Sequence, residues 1–290
     1  GAKDKTRFYL SGRYFNQQGV VIGTNYDKIN GRINVDYEVS DRFSLGGKIT
    51  TTFSVNDRVR GDQSVNGPLP NAVSAPPVAP VRDSLGNYPL AGWWDNPVAI
   101  GKEVVNTAET FHTISTIYGE YNILEGLNLK NQWGFDYYNL QERRFEPSFV
   151  KSAMGSNGYG ADGSSNVFKV TQQTTLNYIK NLGNHHLNFL LGYSFEQWDE
   201  KYLFMSGTQF PNDQLRYLES AAVIDQDATE SEFFESGLTS LFGRVKYNYD
   251  NKYLLSLTLR RDGSSNFGDN NRYAWLPSES MAWRVTEEDF

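Results

Sequence analysis

Residues 28–39 read KINGRINVDYEV and alternate strictly between two kinds of side chain. The odd-numbered positions carry apolar side chains or glycine, whereas the even-numbered positions carry polar or charged ones. Because successive residues of a β-strand point to opposite faces, this period of two predicts a strand with one apolar and one polar face. The alternation returns from Phe43 to Phe53 after the short turn Ser40–Arg42, which predicts an antiparallel hairpin.

The same alternation recurs along the chain and predicts about ten strands. One face of these strands is rich in leucine, phenylalanine and tyrosine, and the other carries arginine, lysine, asparagine and acidic residues. Most of the segments exceed the roughly 5–6 residues that are usual for strands of soluble proteins. The predicted strands span residues 6–16, 27–40, 42–55, 110–124, 127–146, 167–180, 185–199, 236–250, 252–262 and 272–285.

The connections between the predicted strands alternate between short and long. Tight turns are predicted at residues 40–42, 124–127, 181–185 and 250–251, and long loops at residues 17–26, 56–109, 147–166, 200–235 and 263–271. Outer-membrane barrels have this asymmetry, with short periplasmic turns and longer extracellular loops, whereas sandwiches and Greek keys mix their connections. We therefore predict an all-β fold, part of an antiparallel up-and-down transmembrane β-barrel.

The composition excludes several classes of protein. The 290 residues contain no cysteine, which rules out disulfides, thiolate catalysis and cysteine-based metal sites. The formal net charge of −7 argues against non-specific nucleic-acid binding, which needs a basic surface. No apolar run is long enough for a transmembrane helix, but a spanning strand needs only about 9–11 residues. Aromatic side chains near the short turns are expected at a membrane interface, namely Tyr121, Tyr247, Tyr249, Tyr253 and Trp283.

Several stretches resemble the SusC/RagA-like TonB-dependent transporters of Bacteroidetes outer membranes. The most specific is Arg260–Gly268, which reads RRDGSSNFG and is followed by Pro277-Ser278 and Trp283-Arg284. The resemblance covers nearly the whole chain, and Leu276 stands where the family usually has phenylalanine. The other matching stretches are Tyr14–Gly23, Asn96–Ala99, Gly207–Leu218, Gly243–Tyr249 and Tyr253–Leu255.

This resemblance implies a larger barrel with an N-terminal plug. Residues 1–290 are then part of one transmembrane barrel domain, and the plug and the closing C-terminal strands lie outside this chain. The implied location is the cell outer membrane, and the implied function is TonB-dependent active import of a nutrient, either a glycan or oligosaccharide or a peptide. The implied partners are a SusD-like surface lipoprotein acting as a lid, the TonB-ExbB-ExbD energy complex, outer-membrane lipid and the ligand. No enzymatic activity, cofactor or nucleic-acid partner is expected.

Two other functions stay open on the sequence alone. A passive outer-membrane porin would show the same strands but would lack a plug. A soluble carbohydrate-binding β-protein or glycoside hydrolase module would pack its apolar faces against each other and would need no detergent.

The long loop at residues 56–109 contains the candidate ligand contacts Tyr88, Trp93, Trp94 and Asp95. Phenol and indole rings stack on sugars or apolar side chains, and a neighbouring carboxylate can orient hydroxyl groups. Long loops on a rigid scaffold often carry function. The competing interpretation is that the two indoles pack the loop onto the barrel wall.

A calcium loop is the one candidate metal site. Asp262, Ser264, Asn266 and Asp269 place oxygen atoms at near-alternate positions, as a hard cation requires. The bidentate glutamate that completes an EF-hand is missing, and a rigid turn built on Gly263 explains the same residues. We therefore expect no bound metal.

The sequence also contains three histidines and one glycine-rich motif. His112 is predicted on a polar, lumen-facing position, and His185 and His186 lie in a tight turn. Adjacent histidines of a strand point to opposite faces, so surface positions are favoured over a shared metal site. Residues 158–163 match the G-x-G-x-x-G motif, but no helix is predicted to follow them, so no dinucleotide site is expected.

Overall fold

The computed structural model describes residues 1–60, 65–89 and 92–288, and this part of the chain forms one antiparallel sheet of 12 strands. The strands follow one another in sequence order, and the two-residue strand β9 pairs with the end of β8 beside the main path. The strands are β1 (Ala2–Lys3), β2 (Thr6–Gln18), β3 (Asn25–Ser40), β4 (Phe43–Asp57), β5 (Val105–Leu124), β6 (Leu127–Glu146), β7 (Tyr159–Leu182), β8 (His185–Thr208), β9 (Val223–Ile224), β10 (Glu230–Tyr249), β11 (Tyr253–Ser264) and β12 (Tyr273–Trp283).

Each of the ten predicted strands corresponds to one long strand of this sheet, so the predicted partial up-and-down barrel is confirmed. The predicted loops at 147–166 and 200–235 are wrong in their outer parts, because β7 begins at Tyr159, β8 continues to Thr208 and β10 begins at Glu230. These extensions keep regular ladder pairing. They lack apolar alternation because the outward face leaves the lipid here, so that both faces of the sheet meet water and the period-two signal disappears.

The short turns have the backbone geometry that tight hairpins require. Asp250 and Asn251 both adopt positive φ angles, 54° and 55°, between β10 and β11. Two consecutive residues with positive φ are the signature of a type I′ turn, for which Asp and Asn are well suited. Gly126, with φ of 80°, approaches the Ile179 carbonyl so closely that a Cβ atom would lie 2.2 Å from its oxygen. Glycine is therefore required at that turn.

The apolar face of the sheet is exposed. Leu10 is 72% exposed, Ile29 56% and Leu191 55%. A soluble sandwich would cover such side chains with a second layer, and no second layer covers them within the described residues. A continuous apolar face of this size, on strands whose backbone groups are paired within the sheet, suits contact with lipid. This arrangement favours the membrane barrel over the soluble alternative.

Buried apolar side chains lie instead where the long loops meet the upper ends of the strands. Phe145, Phe210, Ile100 and Val150 are each no more than 2% exposed. They belong to the end of β6 and to the loops that follow β4, β6 and β8. The packed core of the described chain therefore stands outside the membrane, on the extracellular side.

Aromatic side chains on the outward face mark both borders of the apolar band. Near a short turn, the rings of Phe43 and Tyr121 meet edge-on at 6.4 Å. About ten residues further along the same strands, Phe53 pairs with Phe111. With a rise of about 3.3 Å per residue and a tilt of about 40°, this interval spans about 25 Å, the height of the apolar band in outer-membrane barrels.

The wall rises well above this band on one side. The upper aromatic border continues through Tyr137 on β6, Phe168 on β7 and Phe195 on β8. Beyond it, these three strands continue by about ten residues, which is about 30 Å of extended chain. The loops are therefore carried clear of the membrane surface.

Short helical segments lie in the connections. They are α1 (Pro68–Ser74), α2 (Pro97–Glu103) and α3 (Lys151–Met154), with single 3₁₀ turns at Leu218–Ser220, Asp269–Asn271 and Val285–Glu287. Among the residues described, no helix has the length and apolar character needed to cross a membrane.

Candidate functional site

Two asparagines order the loop that follows β4 and holds the predicted ligand contacts. The side-chain oxygen of Asn96 accepts hydrogen bonds from two backbone amides of α2, at 3.1 and 3.2 Å, and so caps this helix. The side-chain oxygen of Asn71, in α1, accepts a hydrogen bond from the Asp95 amide at 2.8 Å. The middle of α1 is thus tied to the residue that precedes the N-terminal cap of α2.

Asp95 is buried and is used to join two loops. It is 5% exposed, and its carboxylate accepts hydrogen bonds from the backbone amides of Asn96 and Lys151, each at 3.0 Å. Burial raises the pKa of Asp95, and these N–H donors act in the opposite direction. The carboxylate therefore ties the loop after β4 to the start of α3, and its oxygens already have partners.

Tyr88 is also held by neighbouring side chains. Arg82 donates to its hydroxyl at 2.6 Å, and the guanidinium carbon lies 4.0 Å from the ring centroid. The ring of Phe149 stacks on Tyr88 at 5.8 Å, and the Tyr88 hydroxyl donates to Glu103 at 3.2 Å. Burial raises the pKa of Tyr88, and the hydrogen bond to Glu103 raises it further. The phenol thus helps to build the loop.

The two indoles differ sharply in exposure. Trp94 is half-buried in a shallow hollow that it shares with Ala79, Pro80 and Pro97. Trp93 is 90% exposed. Of the four predicted ligand contacts, Trp93 therefore presents an open aromatic face, whereas Tyr88, Trp94 and Asp95 support the loop that carries it.

A buried carboxylate at the top of β6 was not predicted as a functional residue. Glu146 is 1% exposed and is bonded to both Arg60 and Arg144, with its other oxygen accepting from the Ser152 hydroxyl at 2.5 Å. Two guanidinium groups compensate the cost of burying this charge. Arg60 and Glu146 are 86 residues apart in sequence, so no local pattern points to their contact.

An aromatic pair locks the loop after β8 onto the same strand end. The rings of Phe145 and Phe210 meet edge-on at 5.0 Å. The Asp213 carboxylate accepts hydrogen bonds from the Ser148 amide at 2.6 Å and from its hydroxyl at 2.9 Å. The three loops that follow β4, β6 and β8 therefore form one packed unit, which we call the cap.

The polar face of the sheet carries ionisable side chains that contact one another in pairs. Lys169 and Glu196 form an ion pair at 2.7 Å, and His112 contacts Asp136 at the same distance. The structure thus places His112 on the polar face, and the ring of Tyr138 meets it edge-on at 5.6 Å. Half-exposed polar contacts of this kind suit a hydrated interior.

The other two histidines occupy separate surroundings at a short turn. Nδ1 of His185 lies 2.7 Å from the Tyr247 hydroxyl, and Nδ1 of His186 lies 2.9 Å from the side-chain oxygen of Asn181. The two rings do not converge. Over residues 1–60, 65–89 and 92–288, no three acidic, histidine or cysteine side chains are grouped as a metal ion would need.

The calcium-loop candidates are engaged with other side chains. Both carboxylate oxygens of Asp262 accept hydrogen bonds from Arg260, at 2.6 and 2.8 Å, and Asn266 accepts one from Ser236 at 3.1 Å. The Ser264 hydroxyl accepts a bond from the Asn266 amide at 3.2 Å. The side chain of Asp269 lies outside the described part of the structure.

The glycine motif has a structural role. Tyr159–Leu182 is strand β7, so most of the motif at 158–163 lies in a strand. A Cβ atom on Gly160 would lie 2.6 Å from the ring of Phe210. Glycine at this position makes room for the aromatic side chain that locks the cap.

The meander, its lipid-facing band and its extracellular cap define part of an outer-membrane β-barrel. No protein-family model matches the chain. Its sequence is 32% identical over 300 residues to a TonB-dependent receptor of Formosa agariphila, an alignment that covers 100% of this chain and 30% of that protein. It is 23% identical to the TonB-dependent receptor SusC of Bacteroides thetaiotaomicron, over 96% of this chain and 29% of that protein.

Solved structures have the same fold. The RagAB peptide transporter superposes with a TM-score of 0.79 at 19% identity, covering 100% of this chain and 33% of the other. The RagAB peptide importer in the "closed-closed" state gives 0.80 at 21% identity, covering 100% and 34%. The predicted resemblance to SusC/RagA-like TonB-dependent receptors and the predicted outer-membrane location are thus confirmed. The chain spans about a third of the length of these relatives.

Proposed function

We propose that the protein containing this chain performs TonB-dependent active import of a nutrient across the outer membrane. This chain supplies barrel wall, lumen lining and extracellular loops. The observation that carries the proposal is the match to TonB-dependent receptors along the whole of this chain, combined with a wall whose outer face is apolar and whose inner face holds the Lys169–Glu196 ion pair. We propose that the imported nutrient is either a glycan or oligosaccharide or a peptide.

Residues 1–290 belong, on this proposal, to one transmembrane barrel domain whose plug and closing strands lie elsewhere in the protein. The share of the relatives that the chain covers supports this division. An open sheet also leaves unpaired backbone groups along its first and last strands, which lipid does not tolerate. We therefore propose that further strands of the protein complete the ring.

The proposed partners follow from the family. The energy source is the TonB-ExbB-ExbD complex, which acts through the plug, and the names of the relatives support TonB dependence. A SusD-like surface lipoprotein would close the extracellular opening as a lid, and outer-membrane lipid surrounds the wall. The chemistry is recognition and passage without bond breaking, because the relatives named are receptors and transporters.

Ligand contact on the cap is proposed for Trp93, with Tyr88, Trp94 and Asp95 in support. The indole of Trp93 is open on a loop whose base is fixed by hydrogen bonds. A flat ring held on a rigid base can stack on a sugar or an apolar side chain at low entropic cost.

Growth and uptake experiments on the full-length protein test the proposal. Cells with the wild-type gene, a deletion or Trp93→Ala are grown on defined glycans or on peptides as the sole nutrient, with and without functional TonB. Active import predicts that one nutrient class requires both the protein and TonB, and that Trp93→Ala raises the concentration needed for growth. Uptake that continues without TonB would indicate a passive pore, and growth unaffected by the deletion on every nutrient would contradict import.

A further inference from the structure

The outward face of the sheet has a polar surface directly above its apolar band. On β6, β7 and β8, the first two outward side chains beyond the aromatic border are polar on every strand. These side chains stand two and four residues beyond Tyr137, Phe168 and Phe195 on the same strands, so they lie on the same face and point away from the lumen. We call this surface the polar belt, and it consists of Asn139, Gln141, Ser164, Asn166, Gln197 and Asp199.

Hydrogen bonds between neighbouring side chains order the belt. Gln141 donates to the Ser164 hydroxyl at 2.8 Å, and Asn139 donates to the side-chain oxygen of Asn166. Gln197 donates to Asp199 at 3.2 Å. An amide has two donor hydrogens and a carbonyl with two lone pairs, so each still has hydrogen-bonding capacity to offer. Side chains that are already ordered lose little entropy when a partner binds.

The belt is a strip with a lower and an upper border. Below it lies the aromatic border of the lipid-facing band. Above it, the Arg143 guanidinium lies 4.8 Å from the Tyr217 ring, and Phe210 covers Phe145 on the same face. The loop after β8 thus overhangs the strip. Because the strip continues the lipid-facing surface, its neighbour is the layer that stands above the acyl chains in the outer leaflet.

The side chains of the polar belt indicate which chemical groups of the outer-leaflet headgroups they can bind. The six side chains include no lysine or arginine. The nearest outward cations are Arg143, which lies on the Tyr217 ring, and Lys201, which stands opposite Asn166 in the ladder. Gln197 also contacts the carboxylate of Glu235, on the next strand, at 3.2 Å. Phosphate recognition relies on clustered arginine and lysine, so a surface of amides and carboxylates with a single lysine beside it favours phosphate less than sugar hydroxyls. Sugar hydroxyls both donate and accept, which matches amides, a hydroxyl and a carboxylate. We propose that the polar belt binds the saccharide headgroup of a glycolipid of the outer leaflet.

The test uses the full-length protein in nanodiscs. One set contains phosphatidylethanolamine and phosphatidylglycerol, and the other contains the same lipids with lipopolysaccharide. Melting temperatures are measured for the wild type, for the belt variant Gln141→Ala/Asn166→Ala and for the control Ser165→Ala, whose hydroxyl neighbours the belt but points to the lumen. We expect lipopolysaccharide to raise the melting temperature of the wild type and the control and to have little effect on the belt variant.

A second set of measurements shows whether the saccharide or the phosphate groups of lipopolysaccharide cause the rise in melting temperature. A saccharide contact predicts that the gain survives EDTA and persists with dephosphorylated lipopolysaccharide. An equal gain in the belt variant, no gain in the wild type, or a gain abolished by EDTA would each overturn the proposal. A heat-shifted band and an unchanged melting temperature in phospholipid alone verify that the belt variant folds. Should the double substitution fail this check, Gln141→Ala alone, at an exposed position, is measured in its place.

Discussion

Phe145 and Glu146 are adjacent in sequence, both are almost completely buried, and each is covered by a different loop. Neighbouring residues of a strand point to opposite faces of the sheet. Phe145 packs against Phe210 from the loop after β8, and Glu146 bonds to Arg60 from the loop after β4. The end of β6 is therefore clamped from both sides by two of the loops that form the cap.

Substitution of the buried carboxylate should loosen the cap. Glu146→Gln leaves Arg60 and Arg144 without their counter-charge, which costs about 3 kcal/mol when a buried pair is broken. Local opening should then be about a hundredfold more frequent, which proteinase K cleavage of the extracellular loops on intact cells can measure. Glu142→Gln is the matched control, since that carboxylate is half-exposed beside Arg58. Equal cleavage rates for the two variants would contradict the clamp.

Gly160→Ala should also loosen the cap, because the added methyl group would clash with its neighbour. The added Cβ would lie 2.6 Å from the Phe210 ring, and overpacking of this kind costs about 1–3 kcal/mol. Gly155→Ala, which has no atom within 4 Å of its added Cβ, should leave cleavage of the loops unchanged. Phe210→Leu combined with Gly160→Ala should recover part of the loss, because the two sites couple through direct contact. Strictly additive effects would show that the clash is not the cause.

The orientation of the wall predicts opposite outcomes for two adjacent residues in the middle of β4. Ile49 points outward, in register with Phe43 and Phe53, whereas Thr50 points to the lumen. An arginine facing the bilayer midplane costs about 2–4 kcal/mol, and one facing a hydrated lumen costs little. Ile49→Arg should therefore reduce the heat-shifted band of the full-length protein in outer-membrane fractions, and Thr50→Arg should not. The reverse order would mean that the two faces are assigned wrongly.

The absence of cysteine from this chain allows a direct test of its topology. Trp93→Cys should react in intact cells with a membrane-impermeant maleimide, because the side chain it replaces is 90% exposed on the extracellular cap. Glu125→Cys, in the turn between β5 and β6, should react after the outer membrane is permeabilised. Cysteines elsewhere in the full-length protein are replaced first. Labelling of Glu125→Cys in intact cells would show that the short turns face the cell exterior, which is the reverse of the orientation assigned here.

The sheet could be predicted from the sequence because lipid contact imposes a period of two on every strand. The alternation at 28–39 and the polar turn after it lead directly to β3 and its hairpin with β4. The signal stops where the wall leaves the lipid, which is why the upper part of β7, from Tyr159, looked like a loop. Polarity alone does not separate a solvated strand from a solvated loop.

The cap could not be predicted for a different reason. Its contacts join residues far apart in the chain, such as Arg60 with Glu146 and Ser148 with Asp213. The sequence singled out Asp95 by its position beside two indoles, but its carboxylate is taken up by backbone amides. The sequence shows which side chains have the chemistry to bind a ligand. Whether such a side chain supports the loop or faces a ligand depends on how deeply it is buried in the folded structure.

The spacing of the apolar residues has a consequence for how this chain reaches its membrane. Because they occupy every second position, the chain has no continuous apolar stretch, and its mean hydropathy is −0.56. An unpaired chain of this kind can remain dissolved, and it lacks the roughly 18-residue run that would arrest it in a first bilayer during export. Affinity for lipid arises when strands pair and their alternate side chains merge into one surface. Insertion therefore waits until the strands assemble, so the chain can be exported across the inner membrane without being retained there and can insert in the outer membrane.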